Sequence, residues 1–216
     1  MMTRSQVRKH QQKHFKELIS KKTPYTKEFE NITLTFNKNV FLPCADTRLL
    51  ARNFTPTPGS SVLELTTGSG AISALAGTKG CFGIAVDINP FAVKNANLNF
   101  RNLNINFKAI KSNGFSNVPK RKFDFILANP PYLDGKIDHV LKHSFFGISD
   151  LIKNIFQNAT KFLNPGGKML ITFASWGLIK KFENEAQKNG FKWTIVDSIW
   201  SDDKKGQYFL YSFTLD

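Results

Sequence analysis

The sequence predicts an α/β fold: one seven-stranded, mostly parallel sheet with an antiparallel last strand and helices on both faces. Three observations carry that expectation. From Ser60 onward, short apolar runs alternate with helical stretches, as they do where crossover helices link parallel strands. The runs themselves are nearly continuous in apolar residues, which suits strands buried on both sides. The last two are joined by Ser201-Asp202-Asp203-Lys204-Lys205-Gly206, too short for a crossover helix, so those strands run antiparallel.

Taken in order, the strands are expected at Ser61–Leu65, Cys81–Asp87, Asn106–Ile110, Phe123–Ala128, Lys168–Ala174, Trp193–Trp200 and Tyr208–Thr214. Helices are expected at Ala71–Leu75, Pro90–Leu103, Leu151–Phe162 and Trp176–Lys188. Upstream, residues 1–40 read as a basic N-terminal segment, a helix plus a short strand, and residues 41–216 as the main domain. The helix covers Thr3–Ser20, with Val7, Phe15, Leu18 and Ile19 as its few apolar positions; Thr33-Leu34-Thr35-Phe36 alternates as a strand does. Asp46-Thr47 opens a further helix that buries Leu49, Leu50 and Phe54, and Thr55-Pro56-Thr57-Pro58-Gly59 closes it.

Composition narrows the class of function. The chain has 216 residues, 41% of them hydrophobic, and no apolar run approaches the ~20 residues a membrane span needs. It shows no signal-peptide core, so a cytoplasmic address without membrane contact is expected. Cys44 and Cys81 lie far apart and are expected to be buried thiols. His10, His14, His139 and His143 have no accompanying ligand cluster, so no metal site is expected. The formal net charge is +14. Its excess gathers at the start, where Arg4, Arg8, Lys9, Lys13, Lys16, Lys21, Lys22 and Lys27 face only Glu17, Glu28 and Glu30. Such a surface is drawn to RNA or to a ribonucleoprotein such as the ribosome. A monomer or small homo-oligomer is expected.

Two strand ends carry the cofactor chemistry. Ser61–Gly70 is a strand followed by a glycine turn that opens a helix; Gly68 and Gly70 admit close backbone approach, and Glu64 sets a carboxylate near the strand end. About twenty residues on, a second strand ends in Asp87, placed to accept hydrogen bonds from both hydroxyls of a ribose. In Gly68-Ser69-Gly70-Ala71-Ile72-Ser73 a third glycine is missing, and Glu64 would repel phosphates. That points away from a dinucleotide and towards a nucleoside cofactor with a cationic end, as in S-adenosylmethionine. A third strand ends in Asn129-Pro130-Pro131-Tyr132. Two prolines remove two donors and make the turn rigid. The Asn129 oxygen and a pre-proline carbonyl can then accept the two N–H bonds of a planar, neutral nitrogen, with the Tyr132 ring on its face.

On these residues the chain resembles the class I S-adenosylmethionine-dependent methyltransferases of the Asn-Pro-Pro-Tyr group, and most of all the HemK-type protein-glutamine N5-methyltransferases. Val62–Ile72 resembles the family's cofactor loop, Val86-Asp87-Ile88-Asn89-Pro90 its ribose-binding strand, and Phe123–Tyr132 its catalytic strand and loop. Lys111-Ser112-Asn113-Gly114-Phe115 is similar to its adenine-contacting segment, and Leu163-Asn164-Pro165-Gly166-Gly167 to its late Pro-Gly-Gly turn. Pro43-Cys44-Ala45-Asp46-Thr47 resembles the segment that lies over the cofactor. The resemblance implies a Rossmann-like methyltransferase domain over 41–216. Within it, Thr47, Glu64, Thr66, Gly68, Gly70, Asp87, Ile88, Asn113, Gly114 and Asn129 are placed at the cofactor, and Asn129, Pro130, Pro131 and Tyr132 at the reacting nitrogen. Thr66 stands where the family has its first glycine, and Asn113 where it has an aspartate.

The implied reaction is methylation of a planar nitrogen. Its carrier is a glutamine of a translation protein, an exocyclic amino group of adenine or guanine in ribosomal or transfer RNA, or a small-molecule amine or amide. A cofactor-binding protein without activity is the reading from another class.

Overall fold

A computed structural model of the chain describes residues 15–16, 19–132, 134, 139, 141, 147–201, 204 and 206–215. The helix expected over Thr3–Ser20 falls mostly outside these residues; Phe15, Lys16, Ile19 and Ser20 are helical. His10, His14 and His143 also lie outside them.

The first strands are β1 (Tyr25–Phe29) and β2 (Ile32–Phe36), an antiparallel hairpin. Glu30 and Asn31 form its turn with φ of 44° and 68°, the left-handed pair that matches hairpin twist. The sequence did not announce β1, because Thr26-Lys27-Glu28 is polar throughout and only Phe29 of the strand is buried. Helix α1 (Ala45–Asn53) follows, with Leu49 and Leu50 buried and Phe54 against Phe125.

The rest alternates: β3 (Ser61–Leu65), α2 (Ala71–Thr78), β4 (Phe82–Asp87), α3 (Pro90–Asn102), β5 (Phe107–Lys111), β6 (Phe123–Ala128), α4 (Ile148–Phe162), β7 (Leu163–Ala174), α5 (Ile179–Lys188), β8 (Phe191–Trp200) and β9 (Gln207–Leu215). The seven-stranded sheet has the order β5-β4-β3-β6-β7-β9-β8. Strands β5 through β7 are parallel, and β9 is antiparallel to both β7 and β8, so the last strand inserts between its two predecessors. The strand order reverses between β3 and β6. In such sheets a crevice opens there, at the strands' C-terminal ends.

Helices cover both faces. Phe156 of α4 and Phe182 of α5 pack on Phe213 of β9 with centroids 5.2 and 5.4 Å away, and Phe182 stacks on Phe173 of β7 at 4.3 Å. Alternation turns Thr172 and Leu210 to the opposite face, where α1 packs against β7, β8 and β9.

Several boundaries shift from expectation, two of them for a visible reason. Leu163–Gly167 belongs to β7 rather than to a free turn: Phe123 pairs with Leu163 and Phe125 with Lys168, so the Pro165-Gly166 residues bulge from the ladder. Helix α5 starts at Ile179, not at Trp176. Ser175-Trp176-Gly177 is a tight turn closed by Gly177 N–H on Ala174 O at 2.8 Å.

Buried amides tie the hairpin down. Asn99 of α3 accepts Thr35 N–H at 2.8 Å and donates to Thr35 O and Ser69 O at 3.1 and 2.9 Å. Asn95 accepts Asn37 N–H at 2.8 Å and donates to Thr35 O at 3.0 Å. One helix face thereby fixes both the hairpin and the turn after β3. At the far end of the sheet, Asp124 accepts the Ser61 N–H and hydroxyl at 2.8 and 2.7 Å. The Ser61 N–H above all holds its carboxyl below the usual carboxylate range.

Candidate active site

A cavity opens at the C-terminal ends of β3, β4 and β6, beneath the strap Phe41–Cys44 and the first turn of α1. Glu64, Thr66, Gly68, Asp87 and Ile88 line it from one side. Thr47 and Asn129-Pro130-Pro131-Tyr132 line it from the other.

The turn after β3 is wound through left-handed backbone: Thr66 has φ 55°, Gly68 54° and Gly70 80°. For a β-branched residue that conformation is strained by roughly 1–2 kcal/mol. The family's glycine at this position would carry no such strain. Gly70 serves packing rather than the cavity, which it does not line. A Cβ there would stand 2.8 Å from Ala96 and 2.9 Å from Phe100, so its absence lets the start of α2 meet α3.

Glu64 is 4% exposed, and three donors converge on its Oε2: Thr67 Oγ1 at 2.6 Å, Ser73 Oγ at 2.5 Å and Ser73 N–H at 3.0 Å. Its Oε1 receives no hydrogen bond among the described residues. Burial pushes its pKa up to about 7 against those three bonds, with a smaller push from Asp87. Asp87, at the end of β4, accepts Gly68 N–H on Oδ2 and Asn89 N–H on Oδ1, both at 2.9 Å, and burial raises its pKa as well. Two carboxylates at one cavity wall, Glu64 buried with an unsatisfied oxygen and Asp87 half-buried, suit a cation-bearing ligand and repel phosphate.

Asn129 follows directly on Ala128, the last paired residue of β6, which lies between Leu65 and Ile171. Its Oδ1 is within 2.6 Å of Tyr132 Oη and 2.7 Å of Thr172 Oγ1, and its Nδ2 is 3.0 Å from Thr47 Oγ1. Tyr132 is 8% exposed; its hydroxyl also meets Asp46 Oδ2 at 2.8 Å. The ring packs among Phe173, Trp176 and Tyr208, with centroids 5.5, 6.5 and 5.9 Å away. The tyrosine thus anchors the tetrapeptide through its hydroxyl while its ring closes one end of the cavity.

Besides Gly70, two more expected cofactor residues lie off the cavity. Asn113 is exposed in the loop after β5, and Gly114 packs beside Asn154; neither lines the cavity. Cys81 is a buried thiol as expected, but Cys44 is half-buried on the strap, where it precedes α1 and lines the cavity. Three residues of the site carried no signal of their own in the sequence: Thr172, Trp176 and Tyr208. The last two stand just past the C-terminal end of β7 and at the start of β9 beside it. A search of every strand end bordering the crevice finds Trp176. Among the described residues no group of three His, Cys, Asp or Glu is placed to hold a metal, and no helix is long and apolar enough to cross a membrane.

A crevice at the reversal of strand order, with a glycine turn, two strand-end carboxylates and a Pro-Pro tip bearing an amide, defines a Rossmann-like methyltransferase. Comparison with known proteins agrees. Residues 43–187 match the family described as "Methyltransferase small domain". A Methanocaldococcus jannaschii protein with the provisional name protein N5-glutamine methyltransferase is 37% identical over 76% of this chain and 87% of its own length. The release factor glutamine methyltransferase of Salmonella typhimurium is 33% identical over 67% of this chain, which spans 58% of that enzyme. A methyltransferase structure from Pyrococcus furiosus superposes with a TM-score of 0.63 at 21% identity, covering 96% of this chain and 99% of that one, and shares the fold. The chain belongs to the methyltransferase small-domain family and is an S-adenosylmethionine-dependent methyltransferase.

Glu64 makes a pH test. Its folded pKa lies above the unfolded one, so the folded protein binds that proton more tightly, and the stability this gives falls as pH rises from about 4.5 to about 7. Urea unfolding of wild type against Glu64→Gln should show a difference that shrinks by about 3 kcal/mol across that window. A pH-independent difference would contradict the buried carboxyl. Thr66→Gly should raise stability by about 1 kcal/mol, because relief of left-handed strain exceeds the entropy glycine adds to the unfolded chain. Calorimetric melting measures it, and a lower melting temperature would show that Thr66 is not strained.

Proposed function

We propose that this enzyme methylates the side-chain amide nitrogen of a glutamine in a protein of the translation machinery, in the cytoplasm. The observation that carries the reading is the Asn129 amide and the Pro130 carbonyl group held at the tip of β6, in one cavity with Glu64 and Asp87. Two relatives named for glutamine methylation support the choice of acceptor.

S-adenosylmethionine, when bound, supplies a methyl carbon made electrophilic by the sulfonium. Glu64 Oε1 would take its ammonium end and Asp87 its ribose hydroxyls, and the Gly68 backbone and Thr47 would hold it from either side. An amide nitrogen is a poor nucleophile because its lone pair is shared with the carbonyl. Asn129 Oδ1 and the Pro130 carbonyl oxygen accept its two N–H bonds, which draws electron density back to nitrogen and fixes the direction of its lone pair. The prolines have no N–H of their own, so the tip offers acceptors with no competing donor. One of the two N–H protons leaves to solvent, and the product is a neutral secondary amide.

The basic residues between Arg4 and Lys22, ahead of the hairpin that packs on the domain, bring it to ribosome-associated partners. An RNA base amino group is the second reading. It draws on the net charge of +14 and on the wall of Tyr132, Trp176 and Tyr208, against which a base could stack.

Asn129→Ala separates binding from chemistry. With methyl-labelled cofactor and a ribonuclease-treated lysate, wild type should label protein. The variant should lose at least about 100-fold of that rate while S-adenosylhomocysteine affinity, by calorimetry, stays within about threefold. Equal loss of binding and transfer would place Asn129 at the cofactor alone, and label lost on ribonuclease treatment would move the acceptor to RNA.

A further inference from the structure

Five side chains meet behind the tip of β6: Asn129, Tyr132, Thr172, Asp46 and Thr47. Tyr132 Oη lies 2.8 Å from Asp46 Oδ2 and 2.6 Å from Asn129 Oδ1. A phenol has one proton. It can bond the carboxylate or the amide oxygen, but not both. With Asp46 as a carboxylate and the amide oxygen facing the phenol, one of these short contacts sets two acceptors against each other.

Half a turn of the Asn129 amide exchanges Oδ1 and Nδ2 and moves nothing else. Nδ2 then donates to Tyr132 Oη and to Thr172 Oγ1, the latter 2.7 Å away. Tyr132 gives its proton to Asp46. The Thr47 hydroxyl, 3.0 Å from the other end of the amide, donates to Oδ1. The Thr172 proton is left for Tyr132 Oη at 3.3 Å. Every contact of 3.0 Å or less among the five now holds a proton, and the Thr47 hydroxyl gives up only its longer bond to Asp46 Oδ1 at 3.3 Å. The unturned amide is complete only when Asp46 itself carries a proton and donates it to Tyr132.

The two arrangements differ at the reacting tip. Unturned, both lone pairs of Asn129 Oδ1 are taken by the Tyr132 and Thr172 hydroxyls. Turned, Oδ1 lies on the Thr47 side of the cavity with one bond made and one lone pair open to an N–H donor. We infer that Asp46, acting through the Tyr132 hydroxyl, turns the Asn129 amide so that its oxygen is the atom offered to the acceptor nitrogen. Asp46 is a positioning residue, since it acts on the amide only through Tyr132.

The surroundings hold both partners to these parts. Asp46 is 4% exposed, and Thr47 N–H bonds its Oδ1 at 2.6 Å, which leaves Oδ2 for Tyr132. Burial, and next the Asp46 charge, push the Tyr132 phenol well above its ordinary pKa, so it keeps the proton it donates. The value of the turned amide to catalysis rests on the methyl-transfer reading; its orientation does not.

Nuclear Overhauser measurements on the cofactor-free full chain read the orientation directly. In wild type the Asn129 side-chain NH2 protons should show cross-peaks to the Thr172 methyl group and none to the Thr47 methyl group. In Asp46→Asn, Thr47 N–H pins the new amide's oxygen, so its NH2 faces Tyr132 and sends the phenol proton to Asn129. The cross-peaks should then move to the Thr47 methyl. Tyr132→Phe removes the hydroxyl that selects the orientation, so cross-peaks to the Thr47 methyl should appear beside those to the Thr172 methyl, and this variant decides the matter if Asp46→Asn does not fold. Wild-type cross-peaks to Thr47, or a pattern unmoved in the folded variants, would overturn the inference. In Asp46→Asn the transfer rate should fall about 100-fold with S-adenosylhomocysteine affinity unchanged. An unchanged rate in a variant whose cross-peaks have moved would overturn the role given to Asp46. A wild type with no transfer at all would instead refute the methyltransferase reading and leave the orientation test intact.

Discussion

Strand β6 ends in the middle of the sheet, and its end is enforced by two residues that have no N–H to give. Ala128 is still paired on both sides, with Leu65 and with Ile171. One residue later the ladder stops, since Pro130 and Pro131 can donate to neither neighbour. Asn129 is therefore left at the crevice as an amide on a rigid stem, beside carbonyls that meet no competing donor of their own turn. Strand β7 continues past this point, which is why Thr172 can reach Asn129 from the side. The strap and α1 close over the other side and bring Asp46 and Thr47.

The cofactor half of the cavity carries costs of a different kind. Thr66 holds a left-handed backbone that glycine would adopt freely, and Glu64 is buried with only one oxygen satisfied. Strained and undersatisfied groups of this sort gather at functional sites when surrounding structure holds them in place. Here that structure is the pair of buried amides, Asn95 and Asn99. They bind the hairpin β1–β2 to α3, and they reach Ser69 O in the very turn that is strained. A hairpin that lines no part of the cavity is in this way coupled to its floor.

Strands buried on both faces were legible from their residues alone. Ser61–Leu65 and Phe123–Ala128 end where the composition places their ends, because turn residues bound their apolar runs. β1 was not legible: it is half solvated, with a polar middle that resembles a loop. The Pro165-Gly166 stretch reads as a turn yet is a bulge within β7, since a strand can pass such residues by leaving them unpaired. At the site, Glu64, Gly68, Asp87 and Asn129–Tyr132 were legible because each sits at a strand end in a fixed local pattern. Thr172 was not, because its meaning is a contact with a residue 40 positions away in the chain, and Asp46 was legible only as part of the Pro43–Thr47 segment, since its contact with Tyr132 spans 86 positions. The loop at Asn113 matched a local pattern, and the fold leaves it off the cavity wall.

The central claim is that the tip of β6 presents acceptors to the planar nitrogen of a glutamine amide. Tandem mass spectrometry of protein labelled by this enzyme with isotopic methyl, taken from lysate and digested, tests it most directly. The account predicts one methyl group on the side-chain nitrogen of a glutamine, in a protein of the translation machinery, with unlabelled lysines, arginines and termini. A methyl group on a lysine or arginine nitrogen, or on a nucleobase recovered from the same reaction, would contradict it.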